Sequence, residues 1–446
     1  MTRSYPFQLE GIRKISHFGG RALLADEMGL GKSLQGLAWM WKNKAFPTII
    51  VCPANLKFNW QREATIHFRM ESRILEGRVP SIILERLLII NYDILGYWLD
   101  RLKRINPKLI ILDEVHYIKN RETKRTKYVK KLCKGIPYII GMSGTPITNR
   151  PAELFPILNL IRPDLYKSFF PFAWRYCKPK KTPWGWDFKG SDNLNELHTK
   201  LRKTCMIRRL KRDVLTELPA KRRQMIPIAI DLSKYSLAEF DFPKTQAYQL
   251  VKMGYLKRLA GLLKLRASMK WIDDFLEQSD SKLVVFAIHK QILKPLWERY
   301  KGTCVIIHGA ITNKKRQNAI DKFQKCRKTR LFLGNIQAAG VGINLTAADT
   351  MAFVEMSWTP GEHTQAEDRI HRIGQTRSTT YYYLVAQGTI EEDLCRIIQK
   401  KQAILETILD GGESHDINIF DQLVEAIELR RGVRENQAKK NHAVFA

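Results

Sequence analysis

The chain has 446 residues, with 75 Lys plus Arg against 44 Asp plus Glu, a formal charge of +31. Its 44% hydrophobic and 10% aromatic content excludes a disordered polycation and is enough for two or three cored domains. No apolar run reaches the roughly 18–20 residues that span a bilayer, and the N-terminus does not read as a signal peptide. The seven cysteines are scattered without a C-x-x-C pair, which argues against a zinc or disulfide framework. A soluble intracellular protein facing a polyanion is expected, in cytoplasm or nucleoid if bacterial or viral and in the nucleus if eukaryotic.

Near the start, Pro6-Phe7-Gln8 offers a ring to pack on a purine and an amide to pair with its edge, although by themselves these residues fit core and surface better. An apolar run at 22–25 then leads into Asp26-Glu27-Met28-Gly29-Leu30-Gly31-Lys32-Ser33 and a helical stretch. A glycine-rich strand-to-helix turn aims backbone N–H groups at phosphates, at a helix N-terminus that favours negative charge. Lys32 is expected to reach the β- and γ-phosphates and Ser33 to ligate Mg²⁺. The usual pattern starts with glycine; here that position is Asp26, so an ordinary Gly-rich turn stays open from this motif alone.

Further short apolar runs at 48–52, 87–91, 108–112 and 138–142 alternate with longer mixed segments, the pattern of a parallel sheet wrapped by helices. The run at 108–112 delivers Asp113-Glu114-Val115-His116 at its carboxyl end, where open α/β sheets bind ligands. Asp113 is expected to hold Mg²⁺ and Glu114 to polarise an attacking water, unless the pair merely caps a helix. Residues 101–226 carry 30 basic and 10 acidic side chains, most of the chain's excess charge. The aromatic and basic stretch 151–270 has helix-like periodicity, with Pro/Gly/Trp punctuation at 178–190.

A second block repeats the first pattern, with apolar runs at 282–287, 304–307, 330–333, 350–355 and 380–385. Before its last run lies Gln365-Ala366-Glu367-Asp368-Arg369-Ile370-His371-Arg372. Positions 365, 369 and 372 would share one face of a helix. Two guanidiniums there can clamp a γ-phosphate supplied by another domain, or serve a salt-bridged surface helix. The tail beyond 410 reads as helical around 421–429.

In this order the motifs resemble those of the superfamily 2 helicase-like motors, specifically the Snf2 family of double-strand DNA translocases, over residues 5–405. The resemblance absorbs the missing glycine, since Asp26–Ser33 matches that family's form of the loop. Its most discriminating string is Ile207-Arg208-Arg209-Leu210-Lys211-Arg212-Asp213-Val214-Leu215 followed by Leu218-Pro219-Ala220-Lys221, which the family places between two lobes. Arg175-Tyr176-Cys177, Pro183-Trp184-Gly185-Trp186-Asp187, Gly190-Ser191 and Asn193-Leu194 are similar to the annealing-helicase branch that remodels forks.

The resemblance implies an α/β fold of two RecA-like parallel-sheet lobes, of the P-loop NTPase, helicase-like type, with helical insertions. Lobe 1 would span 1–165, helical protrusions and a linker 166–270, lobe 2 271–410 and a tail 411–446. It implies ATP and Mg²⁺ as cofactors. Phe7, Gln8, Glu27, Met28, Gly29, Leu30, Gly31, Lys32 and Ser33 would bind nucleotide, Ser33 and Asp113 metal, and Lys32, Asp113, Glu114, Gln365, Arg369 and Arg372 would carry catalysis. DNA contacts would come from Pro53, Asn91, Tyr92, Lys119, His308, Gly309, Asn344 and Thr346, within motifs that include Asn59-Trp60, with Ser143-Gly144-Thr145-Pro146 and 340–346 coupling them to ATP. The implied activity is DNA-dependent ATP hydrolysis driving translocation of a monomeric motor on double-stranded or forked DNA. Displacement of proteins from DNA and a non-catalytic DNA-binding scaffold are the alternatives.

Overall fold

Runs of aliphatic and β-branched residues buried on both faces set the strands of two parallel sheets. The computed structural model describes residues 4–396 and 398, apart from 145, 147–149, 184, 189, 216, 234, 236–245 and 340–342; the tail expected to be helical lies outside these. The chain divides into two compact units between Leu218 and Pro219.

In the first unit the strands are β1 (Arg21–Leu24), β2 (Thr48–Cys52), β3 (Arg73–Ile74), β4 (Leu87–Asn91), β5 (Leu109–Asp113), β6 (Tyr138–Met142), the pair β7 (Lys180–Thr182) and β8 (Gly185–Asp187), and β9 (Met206–Ile207). Seven form one sheet in the order β3-β4-β2-β5-β6-β1-β9, every neighbour parallel. β2 and β4 are buried along their whole length, and the helices Lys32–Lys42, Lys57–Phe68 and Leu95–Arg104 each turn buried residues inward. Val115 is fully buried and packs near Gly141 of β6, as expected of a side chain facing the sheet. Because β5, β6 and β1 are neighbours, the loops leaving their carboxyl ends stand side by side.

The second unit holds β10 (Lys221–Ile228), β11 (Leu283–Ala287), β12 (Cys304–Ile307), β13 (Leu331–Asn335), β14 (Thr350–Phe353) and β15 (Thr379–Ala386), ordered β10-β15-β14-β11-β13-β12 and again parallel throughout. Val284, Phe286, Phe332 and Phe353 fill one face of this sheet, and Leu283, Val285, Leu331 and Leu333 the other. The ten strands expected from apolar runs all form, displaced by at most two residues at either end.

The stretch 166–270 is not wholly helical. It gives β9 to the edge of the first sheet and β10 to the edge of the second. β10 carries Lys221, Arg222, Arg223 and Pro227, a composition that suits an edge strand and hides it from a search for apolar runs. Two of its cations are spent inward. Arg223 grips the buried Glu367 with two bonds of 2.7 Å, Lys221 reaches the same carboxylate at 2.6 Å, and the Tyr383 hydroxyl donates to it at 2.7 Å.

Burial alone would raise the Glu367 carboxyl, but the charges of Lys221 and Arg223 prevail and hold it well below the usual range. A depressed carboxyl contributes stability that is complete above the unfolded value, near pH 4.3, and is lost only as pH falls below it. Glu367→Gln is therefore expected to cost the second unit about 3 kcal/mol at pH 7. The gap from the parent should close progressively in urea titrations run below pH 4.

Candidate functional site

The loop after β1 turns into the Lys32–Lys42 helix through two left-handed glycines, Gly29 at φ 86° and Gly31 at φ 74°. The left-handed backbone favours glycine at 31, and a Cβ there would also push against the Gln8 amide at 2.5 Å. The Gln8 amide donates to Leu30 O at 3.2 Å and its oxygen accepts from Tyr5 N–H at 3.0 Å. Phe7 is buried and stacks on Tyr5. The two residues expected at an adenine thus adjoin the loop expected at phosphates.

Lys32 folds back to donate to Asp26 O at 2.7 Å and Glu27 O at 3.3 Å. Burial lowers its ammonium from the ordinary value, opposed by the charges of Glu114, Asp26 and Asp113. Met28 and Leu30 are buried, and Ser33 is the second residue of the helix.

Asp113 ends β5, and its Oδ1 accepts from Glu114 N–H at 2.9 Å. Its Oδ2 accepts from the Trp60 indole at 2.7 Å, while Tyr92 OH donates to its carbonyl at 2.8 Å. Burial, then the neighbouring Glu114 charge, raises the Asp113 carboxyl to about 7. Glu114 itself adopts φ 47°, a strained conformation for a non-glycine that places its buried carboxylate beside the β6 loop. There Ser143 Oγ donates to Glu114 Oε2 at 3.3 Å, and His116 Nδ1 lies 3.3 Å from that oxygen and 3.2 Å from the serine. Thr145 of the same expected motif lies outside the described residues.

Beneath the phosphate loop, residues 205–209 run alongside β1: Leu23, Ala25 and Glu27 N–H donate in turn to the carbonyls of Cys205, Ile207 and Arg209. Arg208 donates to Ala25 O and Gly144 O, at 2.9 and 3.0 Å. Arg209 grips the fully buried Asp26 at 3.0 and 2.5 Å, donates to Gln35 Oε1 at 2.8 Å, and also bonds Phe7 O. Gln35 returns a bond of 3.0 Å to Asp26. Lys211 N–H donates to Glu27 Oε2 at 2.6 Å. The family-marking string thus folds into the first unit up to Leu218 and passes into the second from Pro219, where Lys221 opens β10. Arg208 and Arg209 are buried against the phosphate loop, and Asp26, at the position where such loops usually start with glycine, is Arg209's counter-ion.

The residues expected at DNA divide by exposure. Pro53, Asn91 and Tyr92 are buried; Asn91 reaches Asp93 at 3.4 Å, and Tyr92 stacks on Tyr117 at 5.5 Å. Lys119 is half-buried and lies 3.6 Å from Glu153. Gly309 and Asn344 are exposed, and His308 and Thr346 are half-buried. His308 Nδ1 accepts from Ala310 N–H at 3.3 Å, and Asn344 Oδ1 from Thr346 N–H at 3.2 Å. Residues 340–342 of the expected coupling motif lie outside the described residues.

One geometric expectation is corrected. Gln365, Arg369 and Arg372 do not share a helical face, because the helix Pro360–Glu367 ends before the arginines. The chain turns from 368 onward, where Arg223 holds Glu367 and Lys221 lies 3.6 Å from Asp368. The arginines still converge: Arg369 Nη1 and Arg372 Nη1 donate to Ile343 O at 3.4 and 3.3 Å, and Arg369 Nε to Gln365 O at 2.9 Å.

The SNF2-related domain matches residues 13–272, and the helicase conserved C-terminal domain residues 264–374. The chain belongs to the SNF2-related family. This SNF2-related chain is 36% identical over 90% of its length to the Xenopus laevis SWI/SNF-related matrix-associated actin-dependent regulator of chromatin subfamily A-like protein 1. It is 33% identical over 91% of its length to the Bos taurus DNA annealing helicase and endonuclease ZRANB3. It spans 43% and 40% of those relatives' own lengths. The solved Sulfolobus solfataricus SWI2/SNF2 ATPase core in complex with dsDNA aligns at 26% identity and TM-score 0.46, covering 92% of this chain and 94% of that one.

Sequence reasoning missed Trp60's bond to Asp113 and the Arg209–Asp26–Gln35 cluster. Asp26→Gly restores the usual first glycine of a phosphate loop, yet it strands Arg209 in the interior. Both Asp26→Gly and Arg209→Ala are expected to lose about 3–5 kcal/mol of unfolding free energy in urea titrations. A neutral Asp26→Gly would contradict the ion pair's role.

Proposed function

We propose that this SNF2-related chain is a DNA-dependent ATPase that translocates on double-stranded DNA. The observation that carries the reading is the meeting of the Lys32 loop, the Asp113-Glu114 pair and Ser143 at the ends of adjacent strands β1, β5 and β6. Phe7 and Gln8 would hold the adenine, and backbone N–H groups at 29–33 with Lys32 would hold the phosphates. Lys32 would exchange its bonds to Asp26 O and Glu27 O for phosphate oxygens.

Glu114 is suited to orient the attacking water, since Ser143 and His116 fix its carboxylate. The oxygens of Ser33 and Asp113 fit a hard divalent cation, and these two residues would hold magnesium. Bound magnesium would neutralise charge on the β- and γ-phosphates. Gln365, Arg369 and Arg372 are proposed for transition-state charge stabilisation, so Arg369→Ala and Arg372→Ala should each lower turnover by about 10³-fold or more.

For the polyanion, the helix Lys124–Cys133 presents Lys124, Lys127, Lys130 and Lys131 to solvent, a sequence-independent track for duplex phosphates. The similarity of the 175–194 stretch to the annealing-helicase branch, the kind of protein to which the 33%-identical relative belongs by name, supports forked DNA as the preferred form. Comparing ATP turnover on blunt duplex, single strand, fork and RNA tests both levels. No stimulation by any DNA rejects the motor, and equal stimulation by duplex and fork rejects the preference.

Lys32→Ala and Glu114→Gln are each expected to abolish turnover, with nucleotide binding largely kept in Glu114→Gln; a turnover assay paired with nucleotide titration checks this. If roughly 6–10 phosphates are neutralised, duplex affinity should fall about 10³–10⁵-fold between 50 and 200 mM salt. A flat salt dependence in fluorescence anisotropy contradicts the track.

A further inference from the structure

The helix Phe169–Tyr176 and the strand pair β7–β8 take no part in the ATP site above, yet they build a distinct surface in the first unit. The helix Phe169–Tyr176 buries Phe172, Ala173 and Tyr176, leaving Phe170 and Trp174, one turn apart, on its outer face. Beside it β7 and β8 form an antiparallel hairpin with Lys181 opposite Trp186. Trp174 and Trp186 meet edge to face at 4.6 Å, and Phe188 packs 6.0 Å from Phe170 and 6.4 Å from Trp174. Phe170, Trp174 and Trp186 remain 55%, 50% and 48% exposed. Such a cluster of half-exposed rings is costly in water unless something covers it.

The surroundings state the chemistry of the cover. Lys178, Lys180 and Lys181 are exposed along the hairpin, and Arg121 stacks 3.9 Å above Phe169, joining the patch to the stretch that leads into the lysine-bearing helix 124–133. Aromatic faces rimmed by cations fit an anionic chain that carries flat rings of its own. Paired bases within a duplex offer only their edges in the grooves, because their faces are stacked on their neighbours. Unpaired bases offer whole faces, and stacking on tryptophan is tolerant of sequence.

We propose that the 169–188 helix-hairpin surface binds unpaired nucleotides at a junction between single- and double-stranded DNA, with Trp174 and Trp186 stacking bases and Lys180 and Lys181 meeting the flanking phosphates. The assignment rests on the DNA-motor reading and deepens it by placing recognition of the unpaired strand.

The test uses the full chain with three DNAs: blunt duplex, single strand, and a fork with 2-aminopurine in the unpaired arm beside the junction. Trp174→Ala/Trp186→Ala is expected to bind fork and single strand about 10-fold or more weakly and to lose quenching of the 2-aminopurine. Blunt-duplex affinity and duplex-stimulated turnover should stay within twofold of the parent. Trp174→Phe/Trp186→Phe should retain most of the fork affinity. Unchanged binding to all three DNAs overturns the proposal and leaves the patch to another partner, such as a protein. Equal losses on duplex and fork overturn it as well, since the rings would then serve the fold or the general track. If the parent neither binds duplex nor turns over ATP, the motor reading fails along with it; normal duplex stimulation with a silent double variant sinks the junction surface alone.

Discussion

The buried pair between Asp26 and Arg209 is the constraint on which the first unit's site depends. A carboxylate with no solvent exposure is tolerable only with a full set of partners, and Arg209 supplies two bonds while Gln35 supplies a third. The same guanidinium reaches Gln35 and Phe7 O. One cation thus fixes the helix that carries Phe7 and Gln8, the start of the phosphate loop and the helix that follows it. Gly11 belongs to the same arrangement, because a Cβ there would come within 2.0 Å of Gln35 Oε1 and 2.5 Å of Arg209 Nη2. The geometry of the loop is imposed from beneath by residues far away in sequence.

This changes what the charge of +31 means. Residues 101–226 hold most of the excess, but a share of those cations never faces a polyanion. Arg208, Arg209 and Lys211 are buried around the phosphate loop, Lys221 and Arg223 serve Glu367, and Arg125 is paired with Asp93 at 2.8 Å. The exposed lysines of 124–131 and of the β7–β8 hairpin are among those that remain for phosphates. Counting charges by segment locates a basic region; only burial separates the structural cations from those available to a ligand.

The strands were legible because burial on both faces writes a continuous apolar run, as in Ile49-Ile50-Val51 or Leu109-Ile110-Ile111-Leu112. The short edge strands β3 and β9 and the basic β10 were not, since an edge owes its place to one neighbour and needs no such run. Asp113, Glu114 and Lys32 were legible because local order along the chain reflects the strand ends they occupy. Trp60 was not: a tryptophan in a helix carries no mark that its indole N–H faces a carboxylate on β5. The helical face expected for 365, 369 and 372 failed because periodicity describes a helix that continues, whereas Glu367 is captured by Lys221 and Arg223 where the helix ends. The arginines meet at Ile343 O through the turns that follow.

The two buried carboxylates share a logic that sequence periodicity cannot express. In the first unit β9 joins the sheet edge, and Arg209, two residues beyond it, seals Asp26 at the phosphate loop. In the second, β10 joins the other sheet's edge and its Arg223 seals Glu367, beside the segment that carries Arg369 and Arg372. Each sheet thus receives from the stretch 206–228 one edge strand and one arginine for a buried carboxylate near its candidate functional residues. Withdrawing Arg209 would take away Asp26's paired cation and leave it the Gln35 amide, whereas Glu367 without Arg223 would keep Lys221 and the Tyr383 hydroxyl. The basic string that most sharply marks the family is therefore explained first by the interior of the units it enters and only secondarily by anything it does at a surface.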